Sequence, residues 1–160
     1  MREPPGPYRD CEAVIENRSK ELHERLQAWD NNTSVRERLN AFLHYELEQA
    51  EVTARCGCPI GGLCQELAKQ GGLLADAAAK LLNDIIEWSE KQFKGLGFGE
   101  KSSEYALQFV SAIQGMALLT NTFKDPKLTL QLNRTIEVWL DKLSATSGAS
   151  ISVVQESAIA

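Results

Sequence analysis

The chain has 160 residues, 43% of them apolar and 24% charged, and its 22 acidic and 17 basic residues give a formal net charge of −5. This length and composition are typical of one globular domain with a single core. The basic residues are scattered among acidic ones and form no stripe that could neutralise phosphates, which argues against a surface for duplex DNA. Segment 1–7 is polar and Pro-rich and lacks the apolar region of a signal peptide, so we expect a disordered N-terminal segment and a cytoplasmic protein.

The four cysteines are predicted to be free thiols, because the sequence carries no secretory signal. Three of them lie within 56–64, but no second pair of Cys or His follows at zinc-site spacing. We therefore expect neither a metal nor another cofactor. The Gly-Cys-Pro turn at Cys58 suits either a redox-sensing thiol or a plain helix entry, and both interpretations stay open.

Hydrophobic periodicity predicts helices throughout the chain and no strand. Helix A ends at the polar stretch 30–33, and Ser34 with Glu37 then forms a capping box that begins helix B. The apolar stripe of helix B runs out before the Gly and Pro residues of 56–62. The stripes consist of Val14, Ile15, Leu22, Leu26 and Trp29 in helix A, and of Leu39, Phe42, Leu43 and Leu47 in helix B.

A short helix C precedes the break at 70–72, and a long helix D extends from there to the glycines of 94–99. Helix F opens at Asp125-Pro126, where Asp serves as N-cap and Pro fits the first helical position. The apolar stripes are Leu74, Ala77, Leu81, Ile85 and Trp88 in helix D, and Leu128, Leu132, Ile136, Trp139 and Leu143 in helix F. The sequence thus predicts an all-α bundle of about six helices over residues 8–143, with a flexible tail over 144–160.

Helix E, from about Ser102 to Phe123, carries no charged residue after position 104. Its bulky side, predicted to be core, consists of Tyr105, Phe109, Ile113, Met116 and Thr120. The small, partly polar opposite side suits close packing across a symmetric dimer interface, and the alternative is a central helix buried within one subunit. Helix F adds two apolar positions outside its main stripe, Leu130 and Val138. The predicted interface residues of helix E are Ser111, Gln114, Gly115 and Leu118.

Four motifs, in their order along the chain, resemble segments of the tetracycline-repressor (TetR) family. Residues 8–15 (YRDCEAVI) resemble the aromatic-x-x-Lys-Glu-x-Leu segment that opens the long connecting helix of that family. Residues 57–63 (GCPIGGL) are similar to its Gly-Cys-Leu-Leu-Gly-Asn-Leu turn, and 113–119 (IQGMALL) to its Gln-Gly-Ala motif. Asp125-Pro126 resembles the start of the final helix. The resemblance therefore covers Tyr8 to Leu143.

The chain also departs from the family pattern. Cys11 stands where Lys is usual, and Gly62 stands where Asn is common. Only seven residues precede Tyr8, whereas a three-helix DNA-binding unit needs roughly 40 more. We therefore expect no DNA binding from this chain alone.

The resemblance implies a TetR C-terminal-like domain that binds a small, largely apolar effector among helices B to E, which shifts helix A. It also implies a homodimer built by helices E and F. The candidate lining residues, each of which could instead be plain core, are Phe42, His44, Tyr45, Cys64, Trp88, Tyr105 and Phe109. The alternative function is a helical dimerisation module with no DNA-binding head and no ligand of its own.

No catalytic residues are predicted. The two histidines, His23 and His44, lie on predicted helices without a Gly-x-Ser-x-Gly motif, a phosphate loop or a paired metal motif. Glu46, Glu48 and Glu51 are predicted to form a solvated helix face, because nothing in the sequence indicates a partner that would raise one pKa. We therefore expect a protein that is not an enzyme.

Overall fold

The structure, a computed structural model, describes residues 7–157, and it describes side chains from residue 10 to residue 146. Its helices are α1 (Pro7–Asp30), α2 (Val35–Glu48), α3 (Ala50–Cys56), α4 (Pro59–Ala68), α5 (Leu73–Gly95), α6 (Ser102–Phe123) and α7 (Lys127–Ser157), with one 3₁₀ turn at Gly99–Lys101. No strand occurs between residues 7 and 157, and the predicted all-α fold is confirmed. Within that range, no helix is both long and apolar enough to cross a membrane.

The helix starts follow the predicted capping residues. The Ser34 hydroxyl accepts a hydrogen bond from the Glu37 N–H at 3.2 Å, and the Glu37 carboxylate accepts one from the Ser34 N–H at 3.0 Å. This reciprocal pair is the capping box predicted for helix B. At the start of α7, the Asp125 carboxylate accepts a hydrogen bond from the Lys127 N–H at 3.0 Å. Local side-chain chemistry thus determines where these two helices begin.

Two boundaries differ from the prediction. Predicted helix B is divided at Gln49 into α2 and α3, and α3 ends at Cys56, followed by the C-cap Gly57, whose φ of 76° few other residues adopt. The last helix does not stop at Leu143 but continues to Ser157, because 144–157 contain no Pro and only one Gly to end it. Positions 1–6 of the predicted N-terminal segment, and 158–160 of the predicted tail, lie outside the described residues.

Aromatic rings form a continuous chain through the core. Trp29 of α1 stacks on Phe42 of α2 with ring centres 4.7 Å apart, and Phe42 meets Phe109 of α6 edge-on at 5.5 Å. Phe109 lies 6.0 Å from Phe93 of α5, which in turn lies 6.0 Å from Trp139 of α7. Aromatic pairs in these geometries add to the stability gained from burial alone. The ring chain therefore connects five helices in one core.

Helix α6 has one buried side and one exposed side. The predicted core residues Phe109, Ile113, Met116 and Thr120 are buried, and Tyr105 is half-buried. On the opposite side, Leu118 is 54% exposed. A helix buried on all sides within one subunit was the alternative to a dimer interface, and that alternative is wrong for this chain.

Candidate functional site

A cavity of about 80 Å³ lies between α1, α2, α3 and the start of α4. Ile85 of α5 and Gln114 of α6 line its far side. At about 10–15 Å³ for each enclosed water, this volume holds several waters or a small organic group. The cavity is therefore a candidate binding site formed where the first four helices meet.

Much of the cavity wall is apolar. Two of the rings at one end of the core chain, Trp29 and Phe42, lie on this wall. The remaining apolar lining residues are Leu22, Val52, Pro59, Ile60 and Ile85. An apolar wall of this kind favours an organic group over bulk water.

The polar groups contributed by α1 already have partners in the protein. Arg18 forms an ion pair with Glu21 at 2.8 Å, and this hydrogen bond holds the pKa of Glu21 below its ordinary value. The Arg25 guanidinium lies 3.9 Å from the centre of the Tyr45 ring, a distance that gives a cation–π interaction. Burial raises the pKa of Tyr45, and the Arg25 charge partly opposes that shift.

Glu46 of α2 has a different environment. Its side chain lines the cavity, and burial raises its pKa from 4.5 to about 7, although the positive charge of Arg25 acts in the opposite direction. The sequence prediction of a solvated face is therefore wrong for Glu46, while Glu48 and Glu51 are exposed as predicted. The signal was present in the sequence, because Glu46 continues the buried stripe of Leu39, Phe42 and Leu43 by one more helical turn.

Gln114 connects α6 to the turn before α4. Its side-chain amide donates a hydrogen bond to the Cys58 Sγ at 3.8 Å. The same sulfur also accepts a hydrogen bond from the Gly61 N–H at 3.3 Å. A Cβ at Gly61 would collide with the end of the Gln114 side chain, so a larger residue there would displace the amide from its present position. Gln114 was predicted at a dimer interface, and within the subunit its side chain turns towards α4 and lines the cavity.

Of the seven predicted lining residues, Phe42 and Tyr45 line this cavity. The His44 side chain is 72% exposed and faces solvent next to Glu48. The Cys64 thiol is buried and donates to the Ala78 carbonyl at 3.1 Å.

The other three predicted lining residues also lie outside the cavity wall. Trp88 donates to the Asp30 carboxylate at 3.0 Å, while Tyr105 and Phe109 pack in the ring chain. Together with His44 and Cys64, these positions make five of the seven predicted lining residues that lie outside the wall of this cavity.

The remaining predicted interface residues form an exposed strip on α6 and α7. Ser111 and Leu118 are exposed on α6, and Leu130 and Val138 are about half exposed on α7. The Gly115 backbone has open space where a Cβ would stand. Arg134 interrupts the α7 part of the strip.

The cysteines offer no metal centre in the described part of the chain. All four are free thiols, as predicted: Cys64 is buried, Cys56 is exposed, and Cys11 and Cys58 are half-buried. Across the described side chains, no three His, Cys, Asp or Glu residues come together in a way that could hold a metal ion.

Comparison of the chain with protein-family models and with curated protein sequences finds no match. The resemblance to TetR regulators therefore depends on the four motifs and their order.

Proposed function

We propose that this chain is the small-molecule-binding and dimerisation domain of a TetR-like regulator, and that the cavity beside Glu46 is its binding site. The observation that carries the proposal is a cavity with an aromatic wall and a half-buried carboxyl group whose pKa is raised by desolvation. Binding sites for small molecules typically combine an apolar lining with a few polar groups that determine orientation.

The position of α1 supports a sensing role. This helix contributes Leu22, Arg25 and Trp29 to the cavity wall, so a bound molecule would contact it directly. In the family that the chain resembles, the corresponding helix connects the binding domain to the DNA-binding head. A ligand that repacks the cavity would therefore act first on the element that transmits the signal.

Binding can be tested by thermal unfolding with a panel of small apolar and aromatic compounds. A molecule that binds the native state raises the melting temperature, by an amount that depends on its concentration relative to Kd. Thr53→Met places a flexible, larger side chain in the cavity wall and should abolish the shift. Thr135→Met, at an exposed position of α7, is the matched control and should preserve it. If no compound shifts the wild type, or if Thr53→Met leaves a shift intact, the cavity is not the site.

The dimerisation part of the proposal depends on the exposed strip of α6 and α7. Gly115→Arg puts a bulky charge into open space in the isolated subunit, so the fold should be retained while close approach of a second copy is blocked. Ala77→Arg, on the exposed side of α5, is the control. Light scattering should show a wild-type dimer, a dimeric Ala77→Arg variant and a monomeric Gly115→Arg variant. A wild type that is monomeric at roughly tens of micromolar would contradict the proposal.

A dimerisation module without a ligand is the second candidate function. The exposed apolar strip favours it independently of the cavity. The two experiments separate the candidates, since this second function predicts the dimer and no thermal shift with any compound.

A further inference from the structure

The Glu46 carboxyl group has no hydrogen-bond or ion-pair partner among the described side chains, and the nearby charge of Arg25 acts on it only at longer range. Among residues 10–146, no group donates a hydrogen bond to it or forms an ion pair with it, yet its side chain borders the cavity. The side chain is half-buried, so its carboxylate loses part of its hydration, and no hydrogen bond from the protein replaces what is lost, although the Arg25 charge partly offsets this cost. The cavity is the open side from which a donor could reach it.

The other charged and titratable groups around the cavity do not fill this role. Helix α1 contributes Arg18 and Glu21 to the cavity wall, and these two side chains form an ion pair with each other. It also contributes Arg25, whose guanidinium lies against the face of the Tyr45 ring. The start of α4 contributes the Cys58 thiol, which already accepts from the Gly61 N–H. Helix α3 adds to the wall only uncharged side chains: those of Val52 and Thr53, with Gln49 just before them.

From this arrangement we propose that the cavity binds a small organic cation, a protonated amine carried on a flat apolar group, with the ammonium on Glu46 and the flat group against Trp29 and Phe42. This inference rests on the proposed binding function and names the chemical class of its ligand. An ammonium forms a charge-assisted hydrogen bond with a carboxylate and is also attracted by aromatic faces. A neutral hydroxyl would supply only the weaker, uncharged bond.

Binding of such a cation depends on pH in a defined direction. Glu46 must be ionised to bind an ammonium, and its pKa of about 7 lies between pH 6 and pH 8. Its ionised fraction therefore falls about tenfold between pH 8 and pH 6. Binding should weaken by the same factor, while an amine of high pKa stays protonated throughout.

The test uses the full chain with benzylamine, benzyl alcohol and benzoate, which share a ring and differ in charge. Titration calorimetry at pH 8 should give a Kd for benzylamine at least about tenfold lower than for benzyl alcohol, in line with the stronger charged hydrogen bond. The preference should disappear in Glu46→Gln, which keeps the shape and removes the charge. It should persist in Glu48→Gln, which removes an exposed carboxylate two residues along the same helix.

Each other outcome overturns the inference in a distinguishable way. If benzyl alcohol binds as tightly as benzylamine, the cavity binds small molecules but not cations as a class, and the proposed function stands. If benzoate binds best, Arg25 determines the ligand class instead of Glu46. If none of the three binds at millimolar concentration, the cation inference fails, and the wider thermal-shift panel with its Thr53→Met control decides separately on the binding function.

Discussion

Replacing Glu46 by Gln in the ligand-free protein should make the chain more stable at neutral and alkaline pH. The wild-type carboxylate borders the cavity without a protein partner, and burial raises its pKa from 4.5 to about 7. Gln has nearly the same shape but carries no charge to desolvate. The substitution should therefore increase the free energy of unfolding only at pH values at which the wild-type side chain is ionised.

The size of the effect follows from linkage. Because the pKa is higher in the folded state than in the unfolded state, the folded state binds more protons between about pH 4.5 and pH 7. The contribution of protonated Glu46 to the stability of the wild type is therefore fully present below that window and is lost as the pH rises through it. A pKa difference between 4.5 and about 7 corresponds to about 3 kcal/mol at pH 8, and to less than about 1 kcal/mol at pH 5.

Urea unfolding of the wild type and of Glu46→Gln from pH 5 to pH 8 measures this difference. The advantage of the variant should grow with pH by about 2–3 kcal/mol. Glu48→Gln is the control, and as a surface substitution it should change stability by no more than about 0.5 kcal/mol. A difference between Glu46→Gln and the wild type that stays constant over this pH range would refute the argument that desolvation raises the pKa of Glu46.

Three further substitutions test the fold by urea unfolding. Ser34→Ala removes the capping box of α2 and should cost about 1 kcal/mol; a smaller loss than that of a random surface change would contradict the role of the cap. Phe93→Ala removes a fully buried ring at the centre of the aromatic chain and should cost about 3–5 kcal/mol, and a loss below 1 kcal/mol would argue against that packing. Trp88→Phe removes the indole hydrogen bond to Asp30 and should cost about 1 kcal/mol, whereas an unchanged stability would show that the bond is replaced by water.

The fold could be predicted in detail where the signals are local. The bounds of α6 and the capping box at Ser34 follow from residues within one or two turns, so the sequence is sufficient for them. The break at Gln49 was missed because no Gly or Pro marks it. The extension of α7 was missed because small polar residues were taken as a helix end, although nothing in them terminates a helix.

The candidate site was harder to predict, since a cavity depends on how helices pack and not on any one helix. Phe42, which belongs to the apolar stripe of α2, and Tyr45, which lies one helical turn further along, were both predicted and line the cavity. Gln114 was grouped with the exposed side of α6, whereas it lies at the edge between the buried and exposed sides and lines the cavity. Glu46 was grouped with its acidic neighbours by composition, whereas its helical phase places it with the core residues.

The central claim, that the cavity beside Glu46 binds a ligand, can be tested directly by nitrogen-15 NMR of the tryptophan indole groups. Trp29 lies on the cavity wall, while Trp139 lies in the ring chain beside Phe93 and Tyr105. Titration with benzylamine at pH 8 should move the Trp29 indole resonance in a saturable way and leave that of Trp139 in place. Equal movement of both resonances, or saturable movement of Trp139 alone, would contradict the claim.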